Sequence, residues 1–294
     1  MEGSFQSESQ LLFAYLAVGR FLSKAYCCQL INDDLLKKLR ITFQLLIRFN
    51  PQTYPEALLF CMLTSDIENF LAQGLSLMAL SLDNQPQALA RLALYFHELK
   101  KWNRRINLVA RSMGDQQILE SHFLDSLTLL SLLPTEKQPQ ETILDVGTGA
   151  GFPGLVLKAA CPALSVTLIE PRENRFFFLK HTARVLQLKG VEMLNIRLEE
   201  KGGVKELSGR QFSFITTRAF SDTWQFIELT GHYLKKGGRI IMMKGPGAIS
   251  ELDHPLRNVM AQKFLVSDVK KFYLPFSRKE RLLVSIKGSE EKGQ

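Results

Sequence analysis

Ten consecutive residues, Asp145-Val-Gly-Thr-Gly-Ala-Gly-Phe-Pro-Gly154, place glycines at 147, 149, 151 and 154 directly behind an apolar run, Thr142-Ile-Leu-Asp-Val146. A second apolar run, Val166-Thr-Leu-Ile-Glu170, ends on a carboxylate. Glycine lets the backbone turn sharply and approach a ligand closely. A carboxylate at the end of the next strand is suited to accept hydrogen bonds from both hydroxyls of a ribose. Strand, glycine turn, helix, strand and acid form the first βαβ unit of a nucleotide-type binding fold. Glu170 has a plainer reading, as a helix-start carboxylate favoured by the helix dipole. The ribose role is preferred, and the two are compatible.

Holding those residues in place requires a sheet. Candidate strands cover 142–146, 166–170, 191–197, 212–218, 238–244, 269–274 and 281–287, and candidate helices run near 153–160, 173–188, 222–234 and 248–259. Phe176, Leu179, Ala183 and Leu186 give the helix of 173–188 an apolar stripe. Alternating strands and helices predict a parallel sheet covered on both faces. The last two strands are separated only by Phe276 to Glu280, and so short a link requires an antiparallel pair. The fold class is therefore α/β: a doubly wound, seven-stranded, Rossmann-like sheet with an antiparallel last strand, of the kind used by S-adenosylmethionine-dependent methyltransferases. A helical N-terminal region precedes it. Residues 136–294 are read as the cofactor-binding domain and 64–135 as a helical subdomain, with Leu89, Leu92, Ala93, Phe96 and Leu99 on one helix face. Ser121-His-Phe-Leu-Asp-Ser-Leu127 is expected to open a further helix.

The segment Gly149 to Gly154 also fits G-x-G-x-x-G, so a dinucleotide oxidoreductase is the rival reading. In that pattern the first glycine usually stands at the strand end, whereas here an acid and an extra glycine precede it. Pro153 suits the first turn of a helix, where no amide hydrogen is needed. Nothing later in the chain resembles a hydride-transfer site, which favours methyl transfer.

Lys101-Trp-Asn-Arg-Arg-Ile-Asn-Leu108, then Ser121-His-Phe-Leu-Asp-Ser-Leu127, then Asp145 to Gly154 resemble, in this order, the small-subunit ribosomal RNA methyltransferase G family, also called the glucose-inhibited division protein B family. Arg197-Leu-Glu199, Thr217-Arg-Ala219 and Lys244-Gly245 extend the resemblance, which runs from about residue 65 to the C-terminus. It implies transfer of a methyl group from S-adenosylmethionine to N7 of a guanine in the decoding-region loop of 16S rRNA. It further implies that Gly147, Gly149, Gly151 and Phe152 line the cofactor turn and that Glu170, with Pro171 and Arg172, lies at the ribose. Leu198 and Glu199 would meet the adenine. Arg218 would hold the methionine carboxylate in a forked pair. The chain departs from the family pattern at Val109, where threonine is usual, and at Ser121, where arginine often stands.

Guanine N7 carries a lone pair and no proton, so the reaction needs alignment and exclusion of water and no general base. No catalytic residue is assigned. A non-catalytic relative that only binds RNA should have lost some of Gly147, Glu170, Glu199 and Arg218; this chain keeps all four.

The net charge of +8 and pI of about 9.3 favour a polyanionic partner, and the resemblance implies that it is 16S rRNA or the small ribosomal subunit. Candidate RNA contacts are Lys101, Arg104, Arg105, Arg111, Lys244 and Arg278, with Lys100, Lys279 and Arg281 beside them. Trp102 is read as core rather than as a stacking platform. His122 and Asp125 either face the cofactor mouth or pin their helix, the second being preferred. Cysteines Cys27, Cys28, Cys61 and Cys161 form no Cys-x-x-Cys pair, and the five histidines are scattered, so no metal site is expected. Cysteines outside any disulfide pattern suit the cytoplasm. Leu11 to Ile31 is apolar but broken by Arg20 and Lys24, so no membrane role is expected. The oligomeric state is open, with a monomer favoured. Residues 1–63 read as a helical extension outside the resemblance, with six Lys/Arg against five Asp/Glu. Met62 is expected to be the natural start; a genuine extension that packs on the domain or meets the ribosome is the competing expectation.

Overall fold

A computed structural model describes residues 55–133, 141–198, 204–218, 220, 222–248 and 263–289. The chain divides into two compact units, Met1–Met62 and Leu63–Gln294. The expected extension over 1–63 lies outside the described residues apart from the first turns of a helix, and the expected helix over 248–259 lies outside them after Ala248.

The described residues open with helices, the first of which starts before Leu63. Helix α1 spans Pro55–Leu77 and α2 spans Gln85–Asn103. The predicted stripe of α2, Leu89, Leu92, Ala93, Phe96 and Leu99, is buried, and Tyr95 joins it with no exposed surface. The Asn103 carboxamide oxygen accepts the Leu108 and Val109 amides at 2.9 and 3.1 Å, which ends the helix and folds the chain back. A continuous helical run follows: α3 at Asp115–Ile118, a π-helical stretch at Leu119–Leu124, α4 at Asp125–Leu127 and a 3-10 turn at Thr128–Ser131. It starts six residues earlier than the expected Ser121. The π stretch shifts the facing of the residues after it, a device often found beside functional sites.

The sheet contains β1 (Thr142–Val146), β2 (Ser165–Ile169), β3 (Val191–Leu194), β4 (Phe212–Thr217), β5 (Leu234–Lys244), β6 (Phe264–Tyr273) and β7 (Glu280–Gly288), in the order β3-β2-β1-β4-β5-β7-β6. Strands β1 to β5 pair in parallel, and β7 pairs antiparallel with β5 and β6. Helices α5 (Gly154–Ala160), α6 (Glu173–Val185) and α7 (Thr223–Thr230) complete the winding. The expected helix over 222–234 gives way to a 3-10 turn, Gly231–Tyr233. Strand β3 is shorter than expected, and β6 starts five residues before the expected 269. The reason lies in β6 itself: it is an edge strand, mostly exposed, with a register shift between Val266 and Asp268 that blurs its alternation.

Successive strand residues feed opposite cores, as the pleat requires. Ile143, Ile241, Met243 and Leu283 pack with α2, α5 and α6, while Leu144, Ile240, Met242 and Val284 pack with Trp224, Phe226 and Ile227 of α7. The helical layer of residues 64–133 shares the first of these cores with the sheet. This arrangement brings the C-terminal ends of β1, β2 and β4 together under that layer.

Candidate active site

The chain turns out of β1 at Gly147, whose amide and that of Thr148 donate to the Ile169 carbonyl at 2.9 and 3.0 Å, stitching the turn to the end of β2. Gly147, Gly149 and Gly151 have φ of 72°, 61° and 95°. An L side chain strains such a backbone. A Cβ on Gly147 would meet nothing within 4 Å, so that side of the turn is open. A Cβ on Gly151 would collide with the Tyr95 hydroxyl and lie 2.8 Å from Leu155 Cβ. Tyr95 donates its hydroxyl to the Ala150 carbonyl, so α2 grips the turn from behind. Asp145 is fully buried; its Oδ2 accepts from the Thr148 hydroxyl at 2.6 Å and the Gly154 amide at 2.8 Å, while Oδ1 has no protein partner. Burial raises its pKa to about 6, against the pull of those two hydrogen bonds and of Arg218.

Glu170 follows β2 and is 2% exposed. Its Oε2 accepts the Gly149 amide at 2.8 Å and its Oε1 the Arg172 amide at 2.9 Å. Each oxygen keeps a lone pair for a further donor. Asn195, beyond β3, donates to the Glu170 carbonyl at 2.8 Å. Pro171 and Arg172 are exposed beside it. Arg175, one turn into α6, donates to the Asn107 carbonyl at 3.2 Å, and its Nη1 comes 3.5 Å from where a Gly149 Cβ would stand. Arg175 and residues Asn107–Arg111 line a cavity of ≈ 370 Å³.

Arg218 follows β4. Its guanidinium lies 4.9 Å from the Phe152 ring centroid and donates to the Ser121 carbonyl at 3.2 Å. Desolvation lowers its pKa, opposed by the charges of Asp125 and Asp145. Phe152, 3% exposed, turns its ring inward, where the His122 ring stacks on it at 4.8 Å and 17°. Neither His122 nitrogen has a protein partner. Burial, then Arg218 and Arg281, lower the His122 pKa to about 3, so the ring is neutral. Asp125, 3% exposed, accepts from Arg281 Nε at 3.4 Å, and its Oδ1 is unpaired. Burial raises its pKa, against Arg218 and Arg281. Asp125 and Asp145, each with one oxygen lacking a protein partner, and the His122 ring thus lie within electrostatic reach of one guanidinium.

The remaining candidates separate. Leu198 is partly buried against the second core, and Glu199 lies outside the described residues. Lys101, Arg104, Arg105, Arg111 and Arg278 are exposed. Lys244 differs from these: it is 8% exposed and its ammonium donates to the Phe220 carbonyl at 2.8 Å. Trp102 packs edge-on to Phe178, 5.8 Å between centroids, in the core. Tyr95, Glu120 and Arg175 were missed by sequence reasoning. Tyr95 falls in an apolar stripe and reads as core, while the partners of Glu120 and Arg175 are too distant in sequence for any local spacing to reveal them. Among the described residues no group of three or more His, Cys, Asp and Glu is placed to hold a metal, and no helix is long and apolar enough to cross a membrane.

A seven-stranded sheet in this order, with β7 antiparallel and a glycine turn and an acid after its first two strands, defines an S-adenosylmethionine-dependent methyltransferase. Residues 88–284 match the family rRNA small subunit methyltransferase G. The ribosomal RNA small subunit methyltransferase G of Desulfotalea psychrophila is 40% identical over 222 residues, 76% of this chain and 99% of that protein. Those of Syntrophotalea carbinolica and Myxococcus xanthus are 34% and 39% identical, over 75% and 65% of this chain and 98% and 84% of theirs. The chain belongs to the rRNA small subunit methyltransferase G family.

Proposed function

We propose that this protein transfers a methyl group from S-adenosylmethionine to N7 of one guanine in the decoding-region loop of 16S rRNA. The observation that carries the reading is the Glu170 carboxylate, fixed by the Gly149 and Arg172 amides beside a turn whose Gly147 side is open. The donor set fits the cofactor. Glu170 keeps acceptor capacity for a ribose diol, Arg218 offers a cation for a carboxylate, and the unpaired Asp145 Oδ1 offers an acceptor for an ammonium group. When bound, S-adenosylmethionine supplies the methyl group and the sulfur that departs with the bonding pair. The residues of the chain then have two tasks: to orient the guanine and to exclude water. N7 loses no proton, which agrees with a site holding a neutral imidazole. The exposed cations Lys101, Arg104, Arg105 and Arg111 would meet phosphates, and an rRNA substrate places the protein's work in the cytoplasm.

The test is incubation of the purified protein with radiolabelled S-adenosylmethionine and small subunits lacking the modification, followed by digestion of the rRNA to nucleosides. The expected result is label in 7-methylguanosine at one site. Arg218→Ala is expected to raise the cofactor Kd by about 10- to 100-fold, the worth of a hydrogen bond to a charged group. Label in another nucleoside would overturn the acceptor, and absence of cofactor binding would overturn the reading of the glycine turn.

A further inference from the structure

The link between β6 and β7, Leu274-Pro-Phe-Ser-Arg-Lys279, is held by a device that the chemistry above does not use. Glu120, 5% exposed in the π-helical stretch, accepts both the Phe276 and the Ser277 amides on Oε1, each at 2.7 Å. Charge-assisted bonds of this kind are about twice as strong as neutral ones. The link is pinned again by Leu274, fully buried, and by Phe276, whose ring centroid lies 4.3 Å from that of Phe70. Leu274 and Lys279 close it by a backbone bond of 2.9 Å. The residues held out by this scaffold are of one kind. Arg278 and Lys279 are exposed, Tyr273 is 45% exposed, and the Arg278 guanidinium lies 5.6 Å from the Tyr273 ring centroid. Arg278 has φ 57°, so the turn geometry sets the direction of its side chain.

Position supports a role for this tip. Strand β6 is antiparallel to β7, which is antiparallel to β5, so β6 runs with the parallel strands. Its C-terminal link therefore lies on the sheet edge that carries the glycine turn. The same short helical run joins the two: Glu120 holds the link, His122 stacks on Phe152, and Asp125 meets Arg281 at the start of β7.

We infer that the β6–β7 link is a preorganised finger for single-stranded RNA. Tyr273 is its stacking platform, Arg278 and Lys279 are its phosphate contacts, and Glu120 is the positioning residue that holds it. Aromatic faces stack bases irrespective of sequence, and adjacent cations track the backbone. The inference rests on the rRNA reading and names a surface that serves it.

The test uses the full chain with deproteinised 16S rRNA lacking the modification, measuring Kd across a salt series, alongside methyl-transfer kinetics on small subunits. Tyr273→Ala should raise the rRNA Kd about fivefold or more, and Tyr273→Phe by less than about twofold. Arg278→Asn, which keeps a residue tolerant of positive φ, should flatten the slope of log K against log salt by about 0.7. Glu120→Gln, which keeps an acceptor but not the charge, should raise the KM for subunits while the S-adenosylmethionine Kd stays as in wild type. It should add less in the Tyr273→Ala background than in wild type, because only Arg278 and Lys279 are then left for it to position, a non-additivity that a merely structural role would not produce. Wild-type rRNA affinity in Tyr273→Ala and Arg278→Asn, in a protein that still methylates rRNA, overturns the finger alone. Variants impaired on subunits yet normal on deproteinised rRNA would assign the link to a ribosomal protein and also overturn it. A wild-type chain that binds cofactor but methylates no rRNA overturns the functional reading on which the finger depends.

Discussion

Two glycines in one turn should fail differently when replaced by alanine. Gly147 and Gly151 both have positive φ, 72° and 95°, so each alanine pays roughly 1–2 kcal/mol for its backbone. For Gly147→Ala that is the whole expected loss of stability, since its Cβ meets nothing within 4 Å. For Gly151→Ala the methyl enters the space of the Tyr95 hydroxyl and presses on Leu155 Cβ at 2.8 Å and Leu179 Cδ2 at 3.1 Å. Overpacking of this kind adds about 1–3 kcal/mol. Displacing Tyr95 from the Ala150 carbonyl leaves a buried pair unsatisfied, for roughly another 1–3 kcal/mol. Gly151→Ala is thus expected to be the less stable variant by about 2–6 kcal/mol. The cofactor result should run the other way. The Gly147 methyl projects into the open side of the turn, so Gly147→Ala should bind S-adenosylmethionine poorly while remaining folded.

Urea unfolding followed by tryptophan fluorescence measures the first quantity cleanly, because the chain's two tryptophans, Trp102 and Trp224, both lie in the second unit. Calorimetric titration with S-adenosylmethionine measures the second. Tyr95→Phe in the Gly151→Ala background removes the hydroxyl that the methyl strikes and should recover that part of the steric loss, but neither the contacts with Leu155 and Leu179 nor the backbone part. Equal stability of the two alanine variants would refute the packing argument. Wild-type cofactor affinity in Gly147→Ala would refute the assignment of that open face.

Other tests address charge. Asp145, buried with a pKa of about 6 against an ordinary 3.8, binds a proton more readily folded than unfolded, so it favours the folded state at low pH; that contribution, roughly 3 kcal/mol, is lost as pH rises from about 4 to 6. Asp145→Asn should remove this decline, seen as a flatter dependence of unfolding free energy on pH than in wild type. His122 acts in the opposite sense: its pKa falls to about 3, so its contribution is present above about pH 6.5 and is lost as pH falls toward 3. His122→Phe keeps the stacking on Phe152 and removes two unpaired nitrogens, so it should raise stability by about 1 kcal/mol and blunt acid unfolding; a loss of stability at neutral pH would contradict this. Lys244→Met should lower the melting temperature while leaving the salt dependence of rRNA binding as in wild type, and a flatter salt slope would return Lys244 to the RNA surface.

The sheet was legible in the sequence because both of its faces are covered. Strands such as Ile240 to Met243 must then be apolar throughout, and short apolar runs punctuated by glycine and acid are visible to a reader of composition alone. Strand β6 was half missed for the converse reason: an exposed edge imposes little on residue type, so the stretch before residue 269, with Ser267 and Asp268, read as loop. The glycine turn and Glu170 were legible because their chemistry is local, each bond spanning a fixed and modest stretch of chain. Lys244 shows a limit of such reading, since a strand-end lysine looks the same in sequence whether its stem runs outward or its ammonium donates to a carbonyl.

What the sequence hides is the contribution of the helical layer. Glu120 looks like an ordinary residue of an amphipathic run, and nothing local marks the targets of His122 and Asp125, yet each of the three acts on a different segment of the sheet domain. Glu120 reaches Phe276 and Ser277, His122 reaches Phe152, and Asp125 reaches Arg281. Three side chains within six residues point at three separate targets, Glu120 and His122 from the π-helical stretch and Asp125 from the turn that follows it. The consequence is energetic as well as geometric. The charge of Arg218 is stabilised by Asp125 from the helices and by Asp145 from the sheet, so neither layer alone would hold a desolvated guanidinium beside the glycine turn. A glycine motif can therefore announce a cofactor fold from sequence, but the charge set around Arg218 exists only once the helices have docked.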